Sequence, residues 1–124
     1  MSAKRSSTVR RLRILVVEDE VVVAIGLEGM LAELGHEVVA TAGRLDRALA
    51  AARKGDFDLA ILDLNIRGQD TYAVAEVVTG RGIPLIFATG YESTRLRPPY
   101  GDGFVLQKPY MQSELREMIA AAIG

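Results

Sequence analysis

The stretch FDLAILDLN, residues 57–65, decides the fold. Leu59, Ala60, Ile61 and Leu62 form an unbroken apolar run between polar neighbours. Such a run reads as a strand covered on both faces, as in a parallel sheet packed between helices. Asp63 then ends the run. Burying an unpaired carboxylate costs on the order of several kcal/mol, so Asp63 is expected to be paired, hydrogen-bonded or on a metal.

Outward from this strand, two patterns alternate. Residues 12–17 (LRILVV) form a β-rich run. Residues 21–34 place Val23, Leu27, Met30, Leu31 and Leu34 at helical spacing, and Gly35 stops them. Residues 36–42 read as a strand and 45–54 as an alanine-rich helix ended by Gly55. After the opening stretch comes a weaker helix over 70–80, with Asp70 as its expected cap. Residues 83–89 are a fourth strand, 91–103 an irregular segment and 104–107 a fifth strand. A last helix carries Met111, Leu115, Met118 and Ala122 on one stripe, with Ile119 and Ile123 beside it. Strands alternating with helices in this way predict an α/β fold, a doubly wound five-stranded parallel sheet.

The chain has 124 residues, enough for one domain with one core. Its net charge of −1 argues against a nucleic-acid or polyanion binder. Without cysteine there are no disulfides or thiolate sites, which fits a reducing, cytoplasmic setting. The apolar runs fall far short of the roughly 20 residues that span a bilayer. Residues 1–11 are basic without an apolar signal core and read as a flexible tail ahead of a domain over 12–124.

In a parallel sheet the carboxyl ends of all strands point the same way, and chemistry gathers beyond them. Glu18, Asp19 and Glu20 follow the first strand, Asp63 and Asn65 the third, Thr89 the fourth, and Lys108 and Pro109 the fifth. Clustered carboxylates repel one another and raise one another's pKa. Lys108 or a hard divalent cation would offset this, and Mg²⁺ suits such an oxygen site because it keeps several waters. Open metal positions, an ammonium and a hydroxyl together suit a phosphoryl group. Asp63 can then act as the nucleophile and form an acyl phosphate.

These strand ends resemble the receiver domain of two-component response regulators over residues 12–123. ILVVEDE is similar to the family's acidic first-strand motif, LAILDLN to its phosphoacceptor strand, FATG to its hydroxyl strand and LQKPY to its lysine–proline motif. The resemblance implies a (βα)₅, flavodoxin-like fold and a phosphorylatable signalling switch. In it Asp63 accepts a phosphoryl group from a sensor histidine kinase or a phosphotransfer protein. It implies Mg²⁺ on Asp19, Asp63 and the Asn65 backbone carbonyl, with Glu18 acting through water. Thr89 and Lys108 would contact the phosphoryl group, and the Lys108–Pro109 bond would be cis. FATGYE and DLNIRG further resemble the FAT-GUY subfamily, often single-domain regulators paired with kinases of the HWE or related class.

Two positions depart from the family pattern. Arg67 stands where ordinary receivers have proline, and Val105 where many have a switching aromatic. The signal is therefore expected to pass through Thr89 into residues 90–103. Output is expected by protein contact or phosphate flow, without DNA or membrane insertion. The expected docking residues are Val21, Val22 and Ile25, which leave an apolar face with almost no charge at the start of the first helix, together with Tyr91 and Pro109. Other readings are a pseudo-receiver that only binds partners, a receiver cut from a hybrid histidine kinase, and an aspartate-nucleophile phosphatase. Asn65 argues against the last, because those hydrolases resemble Asp-x-Asp at the nucleophile.

Overall fold

The computed structural model describes residues 10–90 and 96–124. The apolar run of residues 59–62 lies in β3 (Leu59–Asp63), at the centre of a five-stranded sheet. It is flanked by β1 (Arg13–Val17) and β6 (Leu85–Thr89), with β2 (Glu37–Ala42) and β7 (Phe104–Gln107) outermost. The order is β2-β1-β3-β6-β7, and every pairing is parallel. Four helices complete the described fold: α1 (Val21–Glu33), α2 (Leu45–Lys54), α3 (Tyr72–Gly80) and α4 (Gln112–Ile123).

The continuous apolar run of β3 serves two cores because successive side chains point to opposite faces. Ala60 and Leu62 pack with Ala48 and Ala52 of α2 and Val74, Ala75 and Val78 of α3. Leu59 and Ile61 pack with Leu27 and Leu31 of α1 and Leu115 and Ile119 of α4. β1 divides likewise, with Leu15 and Val17 on one face and Ile14 and Val16 on the other. The sheet is thus doubly wound, with the strand order of a flavodoxin-like fold. His36, the one histidine of the sequence, is buried just before β2, where its Nδ1 accepts a hydrogen bond from the Leu12 N–H at 3.1 Å.

Some local expectations need correction. In α1 the fully buried positions are Ala24, Leu27 and Leu31, while Val23, Met30 and Leu34 are only half-buried. Alanine carries little periodic signal, so nothing in the sequence marks Ala24 as core. Met111 is 68 % exposed, since it sits at the cap of α4 rather than on its stripe. The helix expected from residue 70 begins at Tyr72. Asp70 instead belongs to a hairpin of β4 (Asn65–Ile66) and β5 (Gln69–Asp70), although its carboxylate still accepts the Tyr72 N–H at 3.2 Å. The expected tail, up to residue 9, and the first part of the irregular segment, residues 91–95, lie outside the described residues.

Candidate functional site

β1 and β3 are neighbours, and the chain leaves β1 toward β2 on one side while β3 lies on the other. This reversal of strand order opens the crevice in which such sheets bind ligands. Its walls are the residues just past the strand ends. Glu18 prolongs the β1–β2 pairing, its N–H donating to the Ala42 carbonyl at 2.9 Å, and this carries its side chain into the crevice almost fully buried. Asp63 ends β3 beside it. Lys108, just past β7, is fixed by its own N–H, which donates to the Thr89 carbonyl at 2.8 Å.

The Lys108 ammonium bridges the two acids. Its Nζ donates to Glu18 Oε1 at 2.8 Å and to Asp63 Oδ2 at 2.9 Å. The second oxygen of each acid takes a backbone donor, Glu20 N–H to Glu18 Oε2 at 3.0 Å and Asn65 N–H to Asp63 Oδ1 at 3.1 Å, and the Arg67 N–H donates to Asp19 Oδ2 at 2.9 Å. Burial pushes the Glu18 carboxyl above its ordinary value, outweighing the hydrogen bonds from Lys108 and Glu20, and the Asp63 charge adds to the rise. Burial works to lower the Lys108 pKa, but its bonds to Glu18 and Asp63 win and hold it at about 12. The ammonium therefore stays charged throughout the physiological range.

Glu18, Asp19 and Asp63 each offer an oxygen within 4.8 Å of the others. This donor set is oxygen only, which fits a hard divalent cation and not a soft one. Thr89, buried at the end of β6, pairs in register with Gln107, directly before Lys108. The Lys108–Pro109 bond is cis and Pro109 is exposed. Asn65 is exposed, its side-chain oxygen accepting the Gly68 N–H at 3.1 Å. The structure thus brings Glu18, Asp19, Asp63 and Lys108 together, with Asn65 hydrogen-bonded to Asp63 and Thr89 to Lys108 through the backbone. Val21, Val22 and Ile25, at the start of α1, are 70 %, 82 % and 62 % exposed. Tyr91 lies outside the described residues.

The sequence reading missed two features near this edge. The Thr71 hydroxyl donates to the Asp63 carbonyl at 2.7 Å, tying the start of α3 to the end of β3. Tyr72, Phe87 and Tyr100 form an aromatic cluster with ring centroids 5.7–5.9 Å apart, and Phe87 pairs in register with Val105. The Arg97 guanidinium lies 4.5 Å from the Tyr72 ring and binds Asp70 at 2.8 Å. An irregular segment has no periodicity from which to place Tyr100.

The five-stranded parallel sheet with acids and an ammonium gathered at its switch point has the architecture of a response-regulator receiver. Residues 14–120 match the family model of the response regulator receiver domain, and the chain belongs to that family. It is similar to SdrG from Sphingomonas melonis, with a TM-score of 0.82 and 37 % identity over 92 % of this chain and 98 % of that one. The transcriptional regulatory protein PdtaR of Mycobacterium tuberculosis is 30 % identical over 90 % of this chain and 57 % of its own length. The phyllosphere-induced regulator PhyR of Methylorubrum extorquens is 28 % identical over 89 % of this chain and 43 % of its own. The chain thus spans about half the length of these curated relatives. Receiver domains are signalling switches rather than classical enzymes. Among the described residues no helix is long and apolar enough to cross a membrane.

Proposed function

We propose that this protein is a phosphorylatable switch in which Asp63 takes a single phosphoryl group from a sensor histidine kinase or a phosphotransfer protein. The observation that carries this reading is the ammonium of Lys108 held between Glu18 and Asp63, with Asp19 completing the acid cluster. As Asp63 attacks phosphorus, the phosphorus–nitrogen bond of a phosphohistidine breaks and an acyl phosphate forms. Glu18, Asp19, Asp63 and the Asn65 carbonyl would hold Mg²⁺, which when bound neutralises charge on the transferring group. Lys108 exchanges its bond to Asp63 for one to a phosphoryl oxygen, and the Thr89 hydroxyl donates to another.

The donor docks on the exposed apolar start of α1, formed by Val21, Val22 and Ile25, and Tyr91 and Pro109 are the further docking residues of this reading. Such a patch beside a reactive carboxylate suits a helical partner surface. The FATGYE string favours kinases of the HWE or related class, a cytoplasmic setting and output through another protein. The test is intact mass after incubation with a small phosphodonor, with and without Mg²⁺. A single phosphoryl addition that requires the metal supports the reading. No addition in a folded protein that binds Mg²⁺ would favour a pseudo-receiver that works by binding alone.

A further inference from the structure

The hairpin of β4 and β5 sits between the phosphoacceptor strand and α3. Its register pairs Asn65 with Asp70 and Ile66 with Gln69, which leaves a two-residue loop of Arg67 and Gly68. Both loop residues have positive φ, 50° for Arg67 and 80° for Gly68. That is the backbone pattern of the tightest hairpin turn, which favours asparagine, aspartate or glycine at its first position. Arginine there is held in a conformation its Cβ disfavours. Arg67 is the only positive-φ residue other than glycine among those described.

The strained residue makes one contact that reaches far along the chain. Its N–H donates to Asp19 Oδ2 at 2.9 Å, across 48 positions. Around it the hairpin is anchored from both ends. The Asn65 N–H holds Asp63 Oδ1, and the Thr71 N–H and hydroxyl bind the Leu64 and Asp63 carbonyls. Of the six oxygens of Glu18, Asp19 and Asp63, five accept a described hydrogen bond, and Asp19 Oδ1 does not.

We propose that Arg67 is a positioning residue. Its backbone N–H, presented by the left-handed turn, occupies one oxygen of Asp19 and thereby fixes the other toward the divalent cation. This rests on the metal-binding reading above and extends it to a backbone group outside the ligand set. Proline, the residue of ordinary receivers at this position, has no N–H and cannot adopt φ of +50°. This chain therefore orients its acid by a device that the usual residue cannot supply. The side chain of Arg67 is not needed for the effect, so glycine should perform it as well.

The experiment uses the full chain, labelled with ¹⁵N, titrated with MgCl₂ and followed by the amide spectrum. Arg67→Gly keeps the N–H and removes the strain, so its Mg²⁺ affinity should stay within about twofold of the native chain. Arg67→Pro removes the N–H and should weaken Mg²⁺ about tenfold, the usual scale for losing an outer-shell partner of a metal ligand. A folded Arg67→Pro protein with native affinity, or equal weakening by glycine and proline, overturns the proposal. A second measurement needs neither metal nor that variant. In the metal-free native protein the Arg67 amide should be slow to exchange and shifted downfield, and Asp19→Ala should abolish both signatures. An Arg67 amide unaffected by Asp19→Ala overturns the proposal even if Arg67→Pro fails to fold. A native chain that binds no Mg²⁺ would instead sink the metal-binding reading, while the amide measurement still reports on the bond itself.

Discussion

At the amino ends of β1 and β3 one cation, Arg13, holds two carboxylates, Asp56 at 2.6 Å and Asp58 at 3.2 Å. At the carboxyl ends of the same strands Lys108 holds Glu18 and Asp63 at 2.8 and 2.9 Å. The ratio of charges is the same, but the environment is not. The Arg13 side chain is 44 % exposed and that of Asp56 84 %, whereas Lys108 and Glu18 are 18 % and 4 % exposed. Hydrogen bonds from Arg13 hold the Asp58 carboxyl below its ordinary range, while burial pushes Glu18 above its own. The amino end is electrostatically settled. At the carboxyl end burial opposes the charged forms of both Glu18 and Lys108, and Asp19 adds a further acid that no ion pair among the described residues balances. Opposed ionisation of this kind is a mark of sites that act.

The largest effect should come from breaking the carboxyl end at Asp63, the proposed nucleophile. Asp63→Asn should abolish phosphoryl uptake, read as intact mass after exposure to a small phosphodonor and Mg²⁺. Asp58→Asn, at the other end of β3, should leave uptake at the native level. Equal uptake by Asp63→Asn would move the chemistry elsewhere. If the start of α1 is the docking surface as proposed, Val22→Glu or Ile25→Glu should slow transfer from a histidine kinase far more than transfer from the small donor; equal slowing of both would place docking elsewhere.

Both ends were unequally legible in the sequence. The unbroken run of Leu59–Leu62 announced a doubly covered strand, and it divides between two cores as alternation requires. Asp63 and Lys108 stood out because each is a charged group directly after an apolar strand, and a parallel sheet must collect such groups at one edge. The hairpin was not legible, since two-residue strands carry no period and Arg67 is an unusual choice for a left-handed turn. Nor was the Tyr72–Phe87–Tyr100 cluster, whose members come from a helix, a strand and a loop. Tertiary packing alone unites them. The Arg13 network at the amino end was equally invisible, because ordinary surface charges carry no positional signal.

The second effect is on stability. Mg²⁺ bound only to the native state should raise stability by about 2.7 kcal/mol at roughly 100 times its Kd. Asp19→Asn should remove most of that gain while stabilising the metal-free protein slightly, since it relieves repulsion at the crowded end. A melting temperature indifferent to Mg²⁺, in a chain shown to bind it, would contradict the picture of an end short of positive charge. Lys108→Met should cost about 1–3 kcal/mol without metal, because it leaves Glu18 and Asp63 without their cation in a half-dry crevice. Urea unfolding measures it, and a neutral result would mean that the two acids are solvated well enough not to need the ammonium.

The smallest effect should follow Arg13→Met. Water reaches Asp56 freely, and the residue 13 backbone N–H, 2.8 Å from Asp58 Oδ2, survives the change. The lost guanidinium is replaced largely by solvent, so the variant should be destabilised less than Lys108→Met and the loss should shrink as salt is added. Its pH dependence has a definite sign. The folded pKa of Asp58 lies below the unfolded value, so the unfolded chain binds the proton more readily as acid is added. The contribution of the Arg13–Asp58 pair is therefore complete above the ordinary aspartate pKa of about 4 and fades as pH falls through the lower, folded value. Unfolding curves for the native chain and Arg13→Met should differ by a constant margin near neutrality and converge below about pH 4. A margin larger than that of Lys108→Met, or one that persists in strong acid, would show that the exposed network is not the settled end of the molecule.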